Sequence, residues 1–400
     1  MPQDNTQNMP DLHQTYLVLL NRVCRIHHRF GDQFPTIGEQ HTYRRTENNN
    51  WMAAFWPGIL WLTWAATSDD EIRRHAESLL PSFRQRLDRQ VHITHDLGFL
   101  YTLSARAQYQ LTGDETARQL ALRAAGLLAK RYNAAGRYLQ AWGDLTHPVE
   151  RGRTIIDSMM NVPLLFWASR EENREDYYTH AANHLDTLRQ YLIREDGSSY
   201  HAYFFNPDTG DPLYPKTVQG YSDHSLWSRG QAWTIYGCAV ASEWCPEQDY
   251  LSTAKKAARR FIDELPPDGI PWWDLRLPPH APHHRDTSAG AVAAAGMVRI
   301  ACLSEGEEAE FWRQQAETMF ITLTIHCLDT HPEAEGFLRQ GAAHVPDGWG
   351  IGGYLIYGDY FYLEGLQFLL GRGPDFWGNG TLERRLNLSA VPAVGKSEHP

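Results

Sequence analysis

Residues 288–302 read SAGAVAAAGMVRIAC, a stretch of helical length that is apolar on nearly every side and built from small side chains. Such a helix has no face to give to water and belongs inside a protein. Similar segments recur near residues 55–66, 97–111, 158–169, 228–243 and 354–370. Between them lie amphipathic, charged segments near 11–28, 71–90, 115–132, 174–194, 248–264 and 308–328. In the stretch 71–90, Ile72, Leu79, Leu80, Phe83 and Leu87 make one apolar face against a solvated one. Strand-like alternation is scarce, and no Gly/Ser linker divides the chain. Outer helices alternating with inner ones predict an all-α fold, an (α/α)6 barrel of six helical hairpins. The spacing is loose, roughly 45–70 residues, so architecture repeats rather than sequence. The expectation is one domain over residues 1–400, with 375–400 as a capping or partly disordered tail.

Of the 400 residues, 42% are hydrophobic and 21% charged, enough apolar surface for a large core. The formal net charge is −11 and no Lys/Arg run is present, which excludes nucleic acid as a general partner. A small anionic substrate remains open, because a pocket needs only local positive charge. Cys24, Cys238, Cys245, Cys302 and Cys327 are scattered, with no CxxC pair, which argues against a disulfide framework or a zinc cage. The N-terminal stretch 1–14 lacks the basic and apolar halves of a signal peptide. No uncharged apolar run approaches the roughly 18 residues of a spanning helix, so the cytoplasm is the expected compartment and no membrane partner is expected.

The long connections precede the inner helices, at 42–54, 91–96, 138–157, 200–229 and 270–287, and they hold Trp, His, Arg and Asp. Loops gathered at one end of a rigid barrel are where a site is sought. Asp96 in THDLGF and Asp157 in TIIDSMMNVP each stand at the start of an inner helix. Either alone reads first as a helix N-cap. Two carboxylates facing one cleft can instead divide their roles, since like charge and apolar neighbours such as Phe99 and Met159 raise one pKa. Histidines His92, His95, His201, His224, His280, His283 and His284 populate the same loops, but none shows a ligand spacing such as HExxH, and no metal is expected. In QGYSDHSLWSRGQAW (219–233), Arg229 and Trp233 share a helical face. Arginine offers a planar fork for a carboxylate and tryptophan a plate for a sugar ring; an internal salt bridge with core packing is the alternative.

Taken together, THDLGF, IIDSMMN, HAY around His201, WSRGQAW, RDTSA at 285–289 and YGDYFYLEGL at 357–366 resemble the unsaturated glucuronyl hydrolases of glycoside hydrolase family 88, in the family's order, over residues 40–370. The resemblance implies a barrel without cofactor. It also implies an oligosaccharide substrate, usually a disaccharide left by polysaccharide lyases, with a 4,5-unsaturated uronic acid at its non-reducing end. Asp157 would be the general acid and base, supported by Asp96, with Trp51, His95, Trp142, His201, Gln219, Arg229 and Trp233 lining the pocket. The chain departs from the pattern at Trp51-Met52-Ala53-Ala54-Phe55-Trp56, where relatives often carry a polar residue. It departs again at Gly352-Gly353-Tyr354 and Tyr357, the last standing where relatives have Trp.

In the chemistry so implied, a proton is placed on C4 of an enol ether, charge develops at C5, and water adds there. Three other functions share parts of this reading: an unsaturated galacturonyl hydrolase acting on pectin fragments, a sugar epimerase or isomerase on the same barrel, and a non-catalytic sugar-binding protein.

Overall fold

Tight turns and long loops alternate along the chain, and that alternation builds a ring. The structure, a computed structural model, describes residues 9–386; residues 1–8 and 387–400, including the end of the expected tail, lie outside the described residues. In chain order the helices are α1 (Leu12–Ile26), α2 (Phe55–Thr67), α3 (Asp70–Ser78), α4 (Leu80–Asp88) and α5 (Leu97–Tyr101). Next come α6 (Ala107–Thr112), α7 (Glu115–Ala129), α8 (Pro163–Glu172), α9 (Glu175–Tyr191) and α10 (Ser228–Trp244). Then follow α11 (Tyr250–Asp263), α12 (Thr287–Leu303), α13 (Gly306–Cys327), α14 (Ile356–Leu369) and the short α15 (Thr381–Arg385).

The inner ring is α2, α5–α6, α8, α10, α12 and α14; the outer ring is α1, α3–α4, α7, α9, α11 and α13. Inner helices pack on the outer helices that follow them, as α12 does on α13, and on their inner neighbours, while α1 meets α2 and α14 and closes the circle. This is the expected (α/α)6 barrel. Small side chains let the inner helices touch: a Cβ at Gly296 of α12 would stand 3.0 Å from the backbone nitrogen of Tyr236 in α10.

The first five inner helices each end in a short turn at the same end of the barrel. Ser68, Gly113 and Asn173 take the left-handed conformation that stops α2, α6 and α8. Asp69 and Asp114 then cap the next outer helices by accepting backbone N–H bonds. The long return connections therefore all collect at the opposite end, the mouth.

Local structure departs from the sequence reading in three places. The segment 71–90 breaks at Leu79, where Pro81 opens the new helix α4. The inner helix 97–112 contains a π-helical stretch, Thr102–Arg106. The mouth loops hold strands that were not expected: the hairpins β1 (Phe34–Glu39) with β2 (Thr42–Thr46) and β3 (Tyr132–Asn133) with β4 (Tyr138–Leu139), the sheet of β5 (Arg153–Ile155), β6 (Ala202–Phe205) and β7 (Pro212–Lys216), and the hairpin β8 (Ala342–His344) with β9 (Trp349–Ile351). With two to six residues each, they are too short to carry a readable alternation.

The turn end is sealed. Trp377, fully buried, stacks on Phe361 at 6.0 Å, packs edge-on to Phe99 at 5.8 Å, and donates its indole N–H to Glu364 at 2.9 Å. Residues 375–377 thus pack into the turn end of the barrel. Beside this plug Arg299 of α12, fully buried, bonds Glu243 at 2.6 Å and also Asp375. This triad joins α12, α10 and the plug. Arg299→Met would leave two buried carboxylates without their cation, and urea unfolding should show a loss of about 3–5 kcal/mol. An unchanged midpoint would mean that the plug is held by aromatic packing alone.

Candidate active site

Asp96 and Asp157 come together because two chain segments touch at Gly98. A Cβ on residue 98 would lie 2.2 Å from the Cα of Asn161, so only glycine lets the turn into α5 press against the 3-10 turn Ile156–Met160. Asn161 then fastens the contact. Its side-chain oxygen accepts the Phe99 N–H at 2.8 Å, and its amide nitrogen reaches the His95 Nδ1 and the Asp157 carbonyl, both at 3.4 Å.

Neither aspartate caps its helix. Asp96 occupies the N-cap position of α5 but makes no side-chain cap bond; it accepts from the Thr94 hydroxyl at 3.0 Å instead. One Asp157 carboxylate oxygen is buried with no hydrogen-bond partner. The capping explanation, reasonable for each residue from sequence, does not describe either.

Burial is the main force on both carboxyls. It pushes Asp157 up to about 8, the neighbouring Asp96 charge adds to the rise, and Arg229 opposes it. Asp96 is also raised by burial, but only to about 6, because the Thr94 bond and then the cations Arg86 and Arg131 oppose it. Of the two causes expected from sequence, like-charge repulsion is therefore second to desolvation. At neutral pH Asp157 holds a proton and Asp96 is ionised, the arrangement of an acid beside a carboxylate.

The walls carry neutral donors and flat rings. His201 is buried and neutral, its pKa lowered by burial to about 3. Its Nδ1 accepts the N–H groups of Val218 and Gln219, at 3.0 and 3.2 Å, so its Nε2 carries the hydrogen and has no protein partner. His95 is likewise buried and held neutral, well below its ordinary pKa, by burial and then by Arg131 and Arg153; its Nε2 lies 3.4 Å from Asp96. Gln219 accepts from Arg229 at 3.2 Å through its oxygen, which leaves its NH2 group to donate elsewhere. Trp51 and Trp142 are partly exposed. Trp51 stacks on Tyr357 at 4.9 Å, and Trp142 meets the His95 ring edge-on at 6.2 Å.

Arg229 and Trp233 follow the alternative that the sequence left open, an internal salt bridge with core packing. The Arg229 fork does not wait for a carboxylate: Nη1 donates to Asp286 at 2.5 Å and to the Ala342 carbonyl at 2.7 Å, while Nη2 donates to the Ala343 carbonyl at 2.6 Å and to Gln219. It is an internal strut that ties β8 and Gln219 to α10, and Asp286 offsets its charge. Trp233 is only 1% exposed, wedged edge-on against Phe99 at 5.5 Å and Phe361 at 5.3 Å. It forms the floor beneath the site rather than a free stacking plate.

Several working residues escaped the sequence reading. Arg131, buried at the end of α7, donates to the Gln140, Ile93 and Gly143 carbonyls, at 2.9, 2.6 and 3.2 Å. It thereby fixes the loops that carry both Asp96 and Trp142. Arg86 does the same for the loop before Trp51 through Asn48 and Asn50. Nothing in their local sequence marks either arginine; Asn161, by contrast, was already visible inside IIDSMMN. Among the described residues, no three His, Cys, Asp or Glu side chains converge to hold a metal. His92, His224, His280 and His283 are exposed.

The pattern of Glycosyl Hydrolase Family 88 matches residues 25–270. The unsaturated glucuronyl hydrolase of Bacillus sp. (strain GL1) is 41% identical over 356 residues, covering 87% of this chain and 94% of that protein. The crystal structure of unsaturated glucuronyl hydrolase from Bacillus sp. GL1, responsible for the degradation of glycosaminoglycan, superposes with a TM-score of 0.86 at 40% identity, covering 89% of this chain and 96% of that one. A variant of the Streptococcus agalactiae unsaturated glucuronyl hydrolase, crystallised with dGlcA-GalNAc6S, gives a TM-score of 0.78 at 29% identity, with 92% and 93% covered. With a family pattern spanning over half the chain and a relative this similar along nearly its whole length, the chain belongs to glycoside hydrolase family 88, the unsaturated glucuronyl hydrolases.

Proposed function

We propose that this enzyme removes a 4,5-unsaturated uronic acid from the non-reducing end of lyase-generated glycosaminoglycan oligosaccharides by hydrating the C4=C5 double bond. The observation that carries the reading is the pair of carboxyls brought together at the mouth by the Gly98–Asn161 contact, with burial pushing Asp157 up further than Asp96.

The roles follow from the chemistry. Asp157 gives its proton to C4, and positive charge develops at C5 and the ring oxygen. The ionised Asp96 favours that charge. Asp157, now a carboxylate, takes a proton from the water that adds to C5. The resulting hemiketal opens, the anomeric carbon becomes a hemiacetal, and its collapse releases the next sugar. The exposed faces of Trp51 and Trp142 offer surfaces for sugar rings, and the His201 Nε2–H and the Gln219 NH2 offer donors to the uronate. This differs from a two-carboxylate attack at the anomeric carbon. An epimerase would instead need histidines that exchange protons near neutrality, whereas His95 and His201 are both held neutral by burial. The five free thiols support a reducing compartment, and we place the enzyme in the cytoplasm.

Asp157→Asn should lower kcat by about 10²–10⁴-fold while the protein melts no earlier than the unsubstituted chain, because a buried carboxyl is replaced by an uncharged amide of nearly the same size and shape. Near-native turnover would remove Asp157 from the chemistry.

The pH profile should be a bell. Activity needs ionised Asp96, so it rises through about 6; it needs protonated Asp157, so it falls through about 8. Asp96→Asn removes a charge that raises the Asp157 pKa, so besides a large loss of rate the alkaline limb should move to lower pH. Movement to higher pH would contradict the coupling.

Turnover in deuterated water should place deuterium at C4 of the released keto sugar, as read by NMR, and a saturated glucuronide of the same linkage should be inert. Brisk cleavage of the saturated glucuronide would return both aspartates to ordinary glycosidase roles.

A further inference from the structure

The sheet β5–β6–β7 forms one wall of the mouth, and one of its faces carries a graded surface. Ile155 and Ala202, paired across β5 and β6, are buried beneath Trp142. Two residues outward along the same face, Arg153 pairs with Phe204, and Phe204 pairs with Tyr214 of β7. Directly opposed residues on neighbouring strands share a face, so Arg153, Phe204 and Tyr214 form a cross-strand row.

Their rings and planes are arranged in sequence. The Arg153 guanidinium lies 4.7 Å from the Trp142 ring and 5.9 Å from Phe204. Phe204 stacks on Tyr214 at 5.2 Å with 22° between the planes. Exposure increases along the row: Arg153 and Phe204 are half-buried, and Tyr214 is 48% exposed. The row borders a concave surface with Val149, Lys216, Asp223 and His224. Val149 is 56% exposed, and Leu213 beside Tyr214 is 54% exposed. Packing of the barrel needs none of these exposed rings and branches, since the core closes beneath the sheet.

We propose that the row from Trp142 through Arg153 and Phe204 to Tyr214 is an extended sugar platform, which holds the part of a longer oligosaccharide beyond the bond that is cleaved. This rests on the function proposed above. Continuity identifies the occupant. The row starts at Trp142, inside the catalytic mouth, and crosses two strand spacings, about 10 Å, which is room for more than one sugar ring. Flat rings with polar edges suit sugar faces. The charge also fits. The Arg153 Nε is buried without a partner, and its Nη2 has only Glu150 at 3.4 Å, so a cation with unfilled hydrogen-bonding capacity stands where the next acidic sugar of a glycosaminoglycan fragment would pass. Lys216 adds a second cation at the rim, paired with Asp223 at 3.2 Å.

The test compares the unsaturated disaccharide and the unsaturated tetrasaccharide from one chondroitin lyase digest, followed by loss of the double-bond absorbance. Tyr214→Ala should raise the ratio of tetrasaccharide KM to disaccharide KM on the order of tenfold; Tyr214→Phe, which keeps the ring, should restore it. Phe204→Ala should raise the same ratio, and the disaccharide constants of each variant report whether it has folded. If Tyr214→Ala moves both KM values alike, or neither, the platform is overturned. A ratio left unmoved while the sedimentation coefficient falls would assign the patch to a second copy of the chain and also overturn it. If the unsubstituted enzyme turns over neither oligosaccharide, the proposed function itself fails and the platform with it; turnover of both with an unmoved ratio defeats the platform alone.

Discussion

The site depends on a backbone contact that only a residue without a side chain permits. Gly98 sits against the Cα, Cβ and carbonyl oxygen of Asn161, all within 2.5 Å of where a Cβ would stand. That contact brings the starts of two inner helices together, and each start carries an aspartate. Asn161 converts proximity into register by bonding the Phe99 N–H and reaching His95 and the Asp157 carbonyl. Phe99 continues the arrangement downward, packing on Trp51, Trp233 and Trp377. The carboxyls therefore stand on an aromatic column, and their burial follows from the way the barrel is filled.

Burial alone would raise both carboxyls and leave both protonated. What separates them is first the Thr94 hydroxyl bonded to Asp96 and the Asp96 charge acting on Asp157, and then where the arginines stand and whether their charge is already balanced. Behind Asp96 are Arg86 and Arg131, whose hydrogen bonds go to backbone carbonyls and to Asn48 rather than to acids. A guanidinium held by neutral acceptors keeps its full field, and that field holds Asp96 lower. Asp157 faces Arg229, but Arg229 is paired with the fully buried Asp286, so much of its field is cancelled. The same buried ion pair also anchors β8 and orients Gln219. Proton placement and loop placement are thus set by the same few side chains.

The ring of helices was legible in the sequence because burial on all sides leaves a continuous signal: segments such as 288–302 have no polar face over four turns. The two aspartates were legible from position, at the loop-rich starts of inner helices, and from the motifs around them. The short strands were not, since a two-residue strand such as Tyr138–Leu139 has no period to detect. Arg229 was left between two readings for a physical reason. Its spacing from Trp233 suggested a shared binding face, but its partners lie 57, 113 and 114 residues away in Asp286, Ala342 and Ala343. A local pattern carries no information about them. Arg131 is the stronger example: it sits at the end of an ordinary outer helix, and its purpose appears only once the carbonyls of Ile93, Gln140 and Gly143 converge on it.

The filled axis also decides which part of a polymer can react. With Trp377 sealing the turn end and Trp233, Phe361 and Phe99 packed above it, no channel runs through the barrel along this column. A sugar chain cannot thread such a barrel. The sugar that reacts enters by the mouth and its remainder leaves the same way. An enzyme that hydrates a double bond found only on the terminal sugar left by a lyase needs no more access than this. The closed floor leaves the mouth as the way in along this column, and the two carboxyls stand above it, on the side from which the reactive bond arrives.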